Sequence, residues 1–253
     1  MDYTDIKCTQ TDGVLTLEVN RPDRLNAYRN ETADELVHAL RAAEDDASVR
    51  AVLLTGAGRA FGSGYDLSTV DPDAEPALDT VLERHFNPLV EAMRHSRLPI
   101  VSAVNGPCAG AAVGIALAAD IVIAGRSAYF YEPFVGIALV PDAGNTLYLS
   151  RILGRIRASG MMLLGDRIPA ERAERWGLVW DVVDDDALVP SALAICQRLA
   201  GRDAAAVSAT KKLIFQASDF GESEQLAMER DLQGEAGRSP AVKARIAEFF
   251  DRK

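Results

Sequence analysis

Cysteine is scarce in this chain and does not cluster. Cys8, Cys108 and Cys196 are far apart, odd in number and part of no CxxC pair. They exclude a disulfide framework and a cysteine-built zinc site, and they point to a reducing compartment, the cytoplasm. Histidine is equally thin: His38, His85 and His95 fall on or beside helical segments and read as surface or packing residues. Positive charge is in deficit, with 27 Lys and Arg against 37 Asp and Glu for a formal net charge of −10. There is no basic stripe, so nucleic acid and anionic membranes are not the expected partners. The longest apolar run, around residues 113–124, is broken by Asp120 and is too short to span a bilayer. Asp2, Asp5 and Lys7 stand where a signal peptide would carry its apolar stretch, and none is expected.

What is present is ordinary for a soluble globular chain: 253 residues, 48% hydrophobic and 25% charged. That is enough for one large core, or one core with a smaller appendage. Residues 14–19 alternate as a half-buried strand does, and the Asp12-Gly13 turn pairs them with residues 6–9. Residues 20–27, NRPDRLNA, form a polar loop. Thr32 and Glu35 have the spacing of a capping box for a helix whose inner face is Leu36, Ala39, Leu40 and Ala43. Residues 49–55 are nearly all apolar, as in a strand buried on both faces. Residues 68–77 are polar, acidic and proline-containing and read as a mobile surface segment. A helix is predicted over 78–95 and a strand over 100–104. Short strands follow at 121–124, 128–131 and 180–183, with helices at 147–153, 155–164 and 170–177. From Leu188 onward the chain reads as helical, over 188–200, 204–217, 222–237 and 240–252, and the change near Gly201 marks a helical appendage.

The chain is organised around residues 105–120. An apolar strand runs into a Gly-Pro turn, and a helix of very small residues follows, with Gly110 and Ala111 in its first turn. Backbone N–H groups there lack intrahelical partners and favour negative charge, so the stretch reads either as a holder of an oxyanion or as a tightly packed helix. A second glycine-rich loop, residues 56–67, has four glycines within nine residues and can point N–H groups inward. It is neither the GxxxxGK[ST] phosphate loop nor the GxGxxG fingerprint. A third loop, residues 132–146, is apolar except at Glu132, Asp142 and Asn145. A carboxylate set among Leu139, Val140 and Pro141 is either the N-cap of the next helix or a desolvated base.

On NRPDRLNA, AFGSGYDL, VNGPCAGAAVGIALAADI and LVPDAGNTLYLSRILG, the chain resembles the crotonase, or enoyl-CoA hydratase/isomerase, superfamily nearly end to end. The resemblance implies an α/β fold, a right-handed spiral of ββα units over residues 1–200 carrying the coenzyme A and acyl site. Residues 201–253 become a C-terminal helical region that mediates a homotrimer or a dimer of trimers. It implies that the N–H groups of Tyr65 and Ala111 hold a thioester oxygen, with Gly64 and Gly110 beside them. It places the coenzyme A handle over residues 24–27, Arg24 near phosphate and Ala27 near adenine, with Asn26, Ala60, Asp66 and Leu67 in the same binding set. Phe249 and Arg252 match positions that reach a neighbouring subunit's nucleotide. No cofactor is implied beyond the coenzyme A thioester itself, which is substrate, and no metal.

The acid–base groups decide the reaction. Hydratases of this superfamily carry two glutamates, at positions that here hold Gly114 and Phe134. Asp142 stands where enoyl-CoA isomerases, including the 1,2-epoxyphenylacetyl-CoA isomerase subgroup, carry an acidic base, and residues 229–239, ERDLQGEAGRS, look like that subgroup. The resemblance therefore implies double-bond isomerisation with Asp142 as acid and base. Three alternatives stay open: an aromatic acyl-CoA dehalogenase with Asp142 as nucleophile, carbon–carbon bond formation or cleavage, and a non-catalytic homologue that binds coenzyme A or RNA.

Overall fold

The computed structural model describes residues 3–71, 73 and 77–251. Its first element is a hairpin of β1 (Ile6–Thr11) and β2 (Val14–Val19), closed by Asp12 and Gly13, both at positive φ. Such a turn matches the right-handed twist of the strands it joins. Helix α1 (Asn30–Asp45) crosses to β3 (Ala51–Gly56). Helix α2 (Leu78–Val81), a π turn over Leu82–Phe86 and α3 (Asn87–His95) then follow one another to β4 (Ile100–Val104).

Next come β5 (Pro107–Ala109), α4 (Ala111–Leu117), β6 (Ile121–Gly125), β7 (Tyr129–Tyr131) and α5 (Asn145–Leu164), the last broken at Gly154. The chain closes with β8 (Ile168–Pro169), α6 (Ala170–Arg175), β9 (Asp181–Val183) and four helices: α7 (Leu188–Ala200), α8 (Ala204–Gln216), α9 (Glu222–Gly237) and α10 (Pro240–Asp251).

The main sheet has the order β1-β2-β3-β4-β6-β9 and is parallel except for the opening hairpin. β3 and β4 are buried along their whole length, as parallel strands covered on both faces must be. Leu188, Ala192 and Cys196 of α7 cover one face, against Val14, Leu53, Val101 and Ile123. The larger core lies on the other, where Leu36 and Leu40 of α1 and Leu89 and Met93 of α3 meet Leu17, Val52, Leu54 and Ile100.

The second sheet, β5-β7-β8, explains the spiral. Each turn lays one long strand in the main sheet, one very short strand beside the previous turn's, and then a helix. Gly62 bridges Cys108, and Cys108 pairs with Phe130 in parallel register. Three successive turns are therefore aligned, and the segments leaving their short strands lie side by side. Counting two residues on from that row brings Gly64, Gly110 and Glu132 into line. The sequence read β5 only as a turn, because three residues carry no measurable periodicity.

Some boundaries differ from expectation for clear reasons. Thr32 is not the N-cap of α1: the helix starts at Asn30 behind Arg29, and Thr32, at the third helical position, closes the capping box by accepting the N–H of Arg29 at 3.2 Å. Glu35 instead accepts the N–H groups of Thr4, Asp5 and Ile6 at 2.7–3.2 Å, tying the first strand to the helix. Of the segment read as mobile, Ser68 and Thr69 complete a 3-10 turn that starts at Leu67, whereas Pro72, Ala74, Glu75 and Pro76 lie outside the described residues. Helices α9 and α10 bury no residue, and Ile214, Leu226, Ile246, Phe249 and Phe250 on the last three helices are exposed. No helix among the described residues is long and apolar enough to cross a membrane.

Candidate active site

Two backbone N–H groups are brought together by glycine. Gly110 has φ 56° and ψ −131°, a region open in practice only to glycine. It ends β5, donating its N–H to the Tyr131 carbonyl at 2.9 Å, and turns the chain sharply into α4. Gly64, at φ 93°, makes the matching turn in the preceding spiral turn. A Cβ built on Gly64 would stand 3.2 Å from the Ala109 carbonyl oxygen and 3.7 Å from Gly110 Cα, so the two loops are in backbone contact. The next residues are Tyr65 and Ala111. Neither N–H has a backbone acceptor among the described residues, and both residues line one cavity of about 110 Å³.

Asp142 lines the same cavity. It is not a helix cap: α5 begins at Asn145 behind Gly144. The Asp142 backbone carbonyl instead accepts the Asn145 N–H at 2.9 Å, which leaves the carboxylate to face the cavity. Its Oδ1 is buried with no hydrogen-bond partner. Burial pushes its pKa up to about 6, opposed in part by a hydrogen bond from its own backbone N–H. A carboxylate ionised near neutral pH, yet basic enough to take a carbon-bound proton, is what general-base catalysis needs.

Apart from Ser63 and Tyr65, the rest of the lining is apolar side chain or glycine: Leu67, Leu78, Val81, Leu82, Phe86, Phe134, Ile137 and Leu139 among them. Asp142 is its only ionisable carboxyl among the described residues. Phe134 is buried against it, and no side chain is possible at position 114. A Cβ on Gly114 would stand 2.1 Å from the Ala143 carbonyl oxygen, so the helix packs directly on the loop that carries Asp142. Tyr65 turns its ring edge-on to Phe86 at 5.6 Å and its hydroxyl toward Asn30 at 3.5 Å. His38, His85 and His95 bond to Tyr3, Asp34 and the Glu91 carbonyl, and none lines the cavity.

The residues expected to hold coenzyme A divide into groups. Gly64, Leu67 and Gly110 border the cavity. Arg24 is exposed at the end of a 3-10 turn, Pro22–Arg24. Asn26, at φ 53°, is fully buried and engaged by the protein: its amide donates to the Ala57 and Ala60 carbonyls and its Oδ1 accepts the Arg21 N–H. Ala27 and Ala60 are buried beside it. Asp66 pairs with Arg21 at 2.8 Å and accepts from Ser68. Burial works to raise its pKa, but those hydrogen bonds and the Arg21 charge hold it below the usual value.

Arg21 also donates to the Ala27 carbonyl and lies 3.7 Å from the buried Asp5, which Arg29 grips at 2.7 and 2.8 Å. This network, which the sequence reading missed, braces the loop expected to carry the coenzyme A handle against the one that carries Tyr65. Phe249, exposed on α10, lines a separate groove with residues of α8 and α9. Arg252 lies outside the described residues. No cluster of three His, Cys, Asp or Glu among the described residues could hold a metal ion. The acyl-side lining from α2 and the π turn escaped the sequence because those residues look like any amphipathic helix.

A parallel spiral of this kind, with two free N–H groups and one carboxylate around an apolar cavity, defines a site for stabilising a developing oxyanion beside an acid–base group. Residues 9–253 match the family described as Enoyl-CoA hydratase/isomerase. The chain is 41% identical to the 1,2-epoxyphenylacetyl-CoA isomerase of Escherichia coli, covering 95% of this chain and 93% of that one. It is 40% identical to a Rhodobacter capsulatus protein named "Probable enoyl-CoA hydratase", over 100% and 97% of the two chains. The crystal structure of an enoyl-CoA hydratase from Polaromonas sp. superposes with a TM-score of 0.93 at 31% identity, covering 98% and 97%. The chain therefore belongs to the enoyl-CoA hydratase/isomerase family and has its crotonase fold. It is an enzyme of that family.

Proposed function

We propose that the chain isomerises the double bond of an enoyl-CoA. One observation carries the reading: Asp142 is the sole carboxylate on the cavity among the described residues, and the two positions where hydratases place glutamates hold Phe134 and a Gly114 whose backbone is packed on a carbonyl. Adding water calls for groups to position and activate it, whereas moving a proton between two carbons of one substrate needs a single base. The thioester oxygen of a 3-enoyl-CoA lies between the N–H groups of Tyr65 and Ala111. Asp142 takes a proton from C2, breaking that C–H bond. The electron pair delocalises through the diene to the oxygen, where fixed donors favour it over the ground state. Asp142 then returns the proton at C4, giving the conjugated 2-enoyl-CoA with no net change in atoms. The chemistry requires no metal or redox group.

The similarity to the E. coli 1,2-epoxyphenylacetyl-CoA isomerase is in keeping with an isomerase, and Tyr65 and Phe86 on the cavity suit a broad or aromatic acyl group. The exposed apolar residues of α8, α9 and α10 support self-association through that region. The experiment is a stopped assay of a 3-enoyl-CoA followed by the absorbance of the conjugated thioester, run beside deuterium uptake from solvent. Asp142→Asn should lower the rate by about 10²–10⁴ and abolish C2 exchange. Hydration of a 2-enoyl-CoA at a rate matching or exceeding isomerisation would overturn the proposal.

A further inference from the structure

The acidic residue in the third turn of the spiral, Glu132, has no place in the mechanism above. It follows β7 directly and stands in the register occupied by Gly64 and Gly110 in the two preceding turns. Where those turns carry a glycine beside the cavity, this one carries a carboxyl that is 1% exposed. Neither of its oxygens has a hydrogen-bond partner, and Oδ1 of Asp142 and Oδ1 of Asn145 are buried and unpartnered as well. Asn145 meanwhile donates to the Gly110 carbonyl at 3.0 Å, which ties it to the turn that forms half of the oxyanion hole.

The titratable groups that face Glu132 are Asp142 from the loop before α5 and Cys108 from β5, with the buried Tyr28 hydroxyl beyond Cys108. Arg167 lies over the rings of Tyr129 and Tyr131 on β7; Glu132 has no ion-pair partner among the described residues. Two buried carboxyls that feel each other's charge, neither of them ion-paired among the described residues, cannot both ionise cheaply. We propose that Glu132 is a buried proton holder beside the base: it and Asp142 carry one proton between them, Glu132 keeps it while Asp142 is charged, and loss of that proton sets the alkaline limit of the reaction. The inference rests on Asp142 being the base.

The physical consequence is a limit on the alkaline side. Burial first, and then the charge of Asp142, push the Glu132 pKa up to about 9. Above that limit a second negative charge joins that of Asp142, and Asp142 is forced to move or to take back a proton. Below it, Glu132 is neutral and leaves the base untouched. Glu132 does not line the cavity, so its influence passes through Asp142 and not through the substrate.

The test is the pH profile of kcat for the wild type and for Glu132→Gln, which cannot ionise. The wild type should give a bell with limbs near 6 and 9. Glu132→Gln should keep the acid limb, stay within about threefold of wild type at neutral pH, and exceed it by about tenfold one unit above the alkaline limb. Glu132→Leu, which fills the same apolar space, serves if the amide variant does not fold, with the same alkaline gain expected. A second measurement needs no turnover: the infrared carbonyl band of a protonated carboxylic acid, lost in Glu132→Gln. In Asp142→Asn that band should titrate at lower pH, because the like charge is gone. An alkaline limb that persists in Glu132→Gln, or a band unmoved by Asp142→Asn, overturns the pairing. Full activity in Asp142→Asn would instead overturn the base assignment and leave the infrared result to judge the pair.

Discussion

Replacing Glu132 by Gln should stabilise the protein, and by an amount that grows with pH. In the folded state burial pushes this carboxyl from its ordinary 4.5 up to about 9. The sign follows from proton counting. Below the unfolded value both states hold the proton and there is no cost. Between the two values the unfolded chain releases a proton that the folded chain must keep, so stability falls as pH rises. The loss is about 1.4 kcal/mol per pH unit, or roughly 3 kcal/mol by pH 7 and about 5 kcal/mol by pH 8, levelling off above the folded value. The amide variant keeps the size of the side chain and removes this dependence. Asp142, raised to about 6, also contributes, but it is present in both proteins and ionised in both at pH 7 to 8. From pH 6 to pH 8 the advantage of the variant should widen by about 2.7 kcal/mol, which for a chain of this size is roughly 5–11 °C in Tm. Thermal unfolding of both proteins in matched buffers from pH 5 to pH 9 reads the difference directly. Two Tm curves that run parallel across that range would refute the reasoning, because they would mean that Glu132 titrates alike in the folded and unfolded chains.

Two further outcomes follow from the backbone around the oxyanion hole. Gly110→Ala places a side chain at φ 56°, ψ −131°, which should cost about 1–3 kcal/mol in stability and, by turning the Ala111 N–H away, about 10²–10³ in kcat; unchanged kcat in a folded variant would count against Ala111 as a donor. Gly114→Glu should not create a hydratase, since its Cβ would stand 2.1 Å from the Ala143 carbonyl oxygen. The expected result is a lower Tm and a weaker isomerase from a displaced Asp142 loop, and a gain of water addition with Tm preserved would contradict it.

Much of the scaffold was legible in the chain because its elements are long and strongly patterned. β4 begins and ends where its apolar run does, and α7 and α9 span the residues that their composition marks. The hairpin at Asp12-Gly13, the buried strand β3 and the inner face of α1 follow from periodicities of two and 3.6 that neighbours only reinforce. The glycines at 64 and 110 and the isolated acid at 142 also stood out, since each breaks the local chemical pattern.

Tertiary structure alone decided what those residues do together. Whether Asp142 caps a helix or faces a cavity depends on Gly144 taking the cap, a matter of backbone angles that no residue count reveals. β5 is too short to show a period, yet its register with Gly62 and Phe130 is what stacks the two N–H donors and the Glu132 carboxyl. Glu35 and Asn26 look like a capping partner and a ligand contact in one dimension. In three they bind the backbone of Thr4 to Ile6 and of Ala57 and Ala60. Local sequence marks which segments are helices and strands because side-chain period and turn residues are set within a few positions. Burial, partners and pKa depend on segments dozens of residues apart, and only the completed spiral brings them within reach.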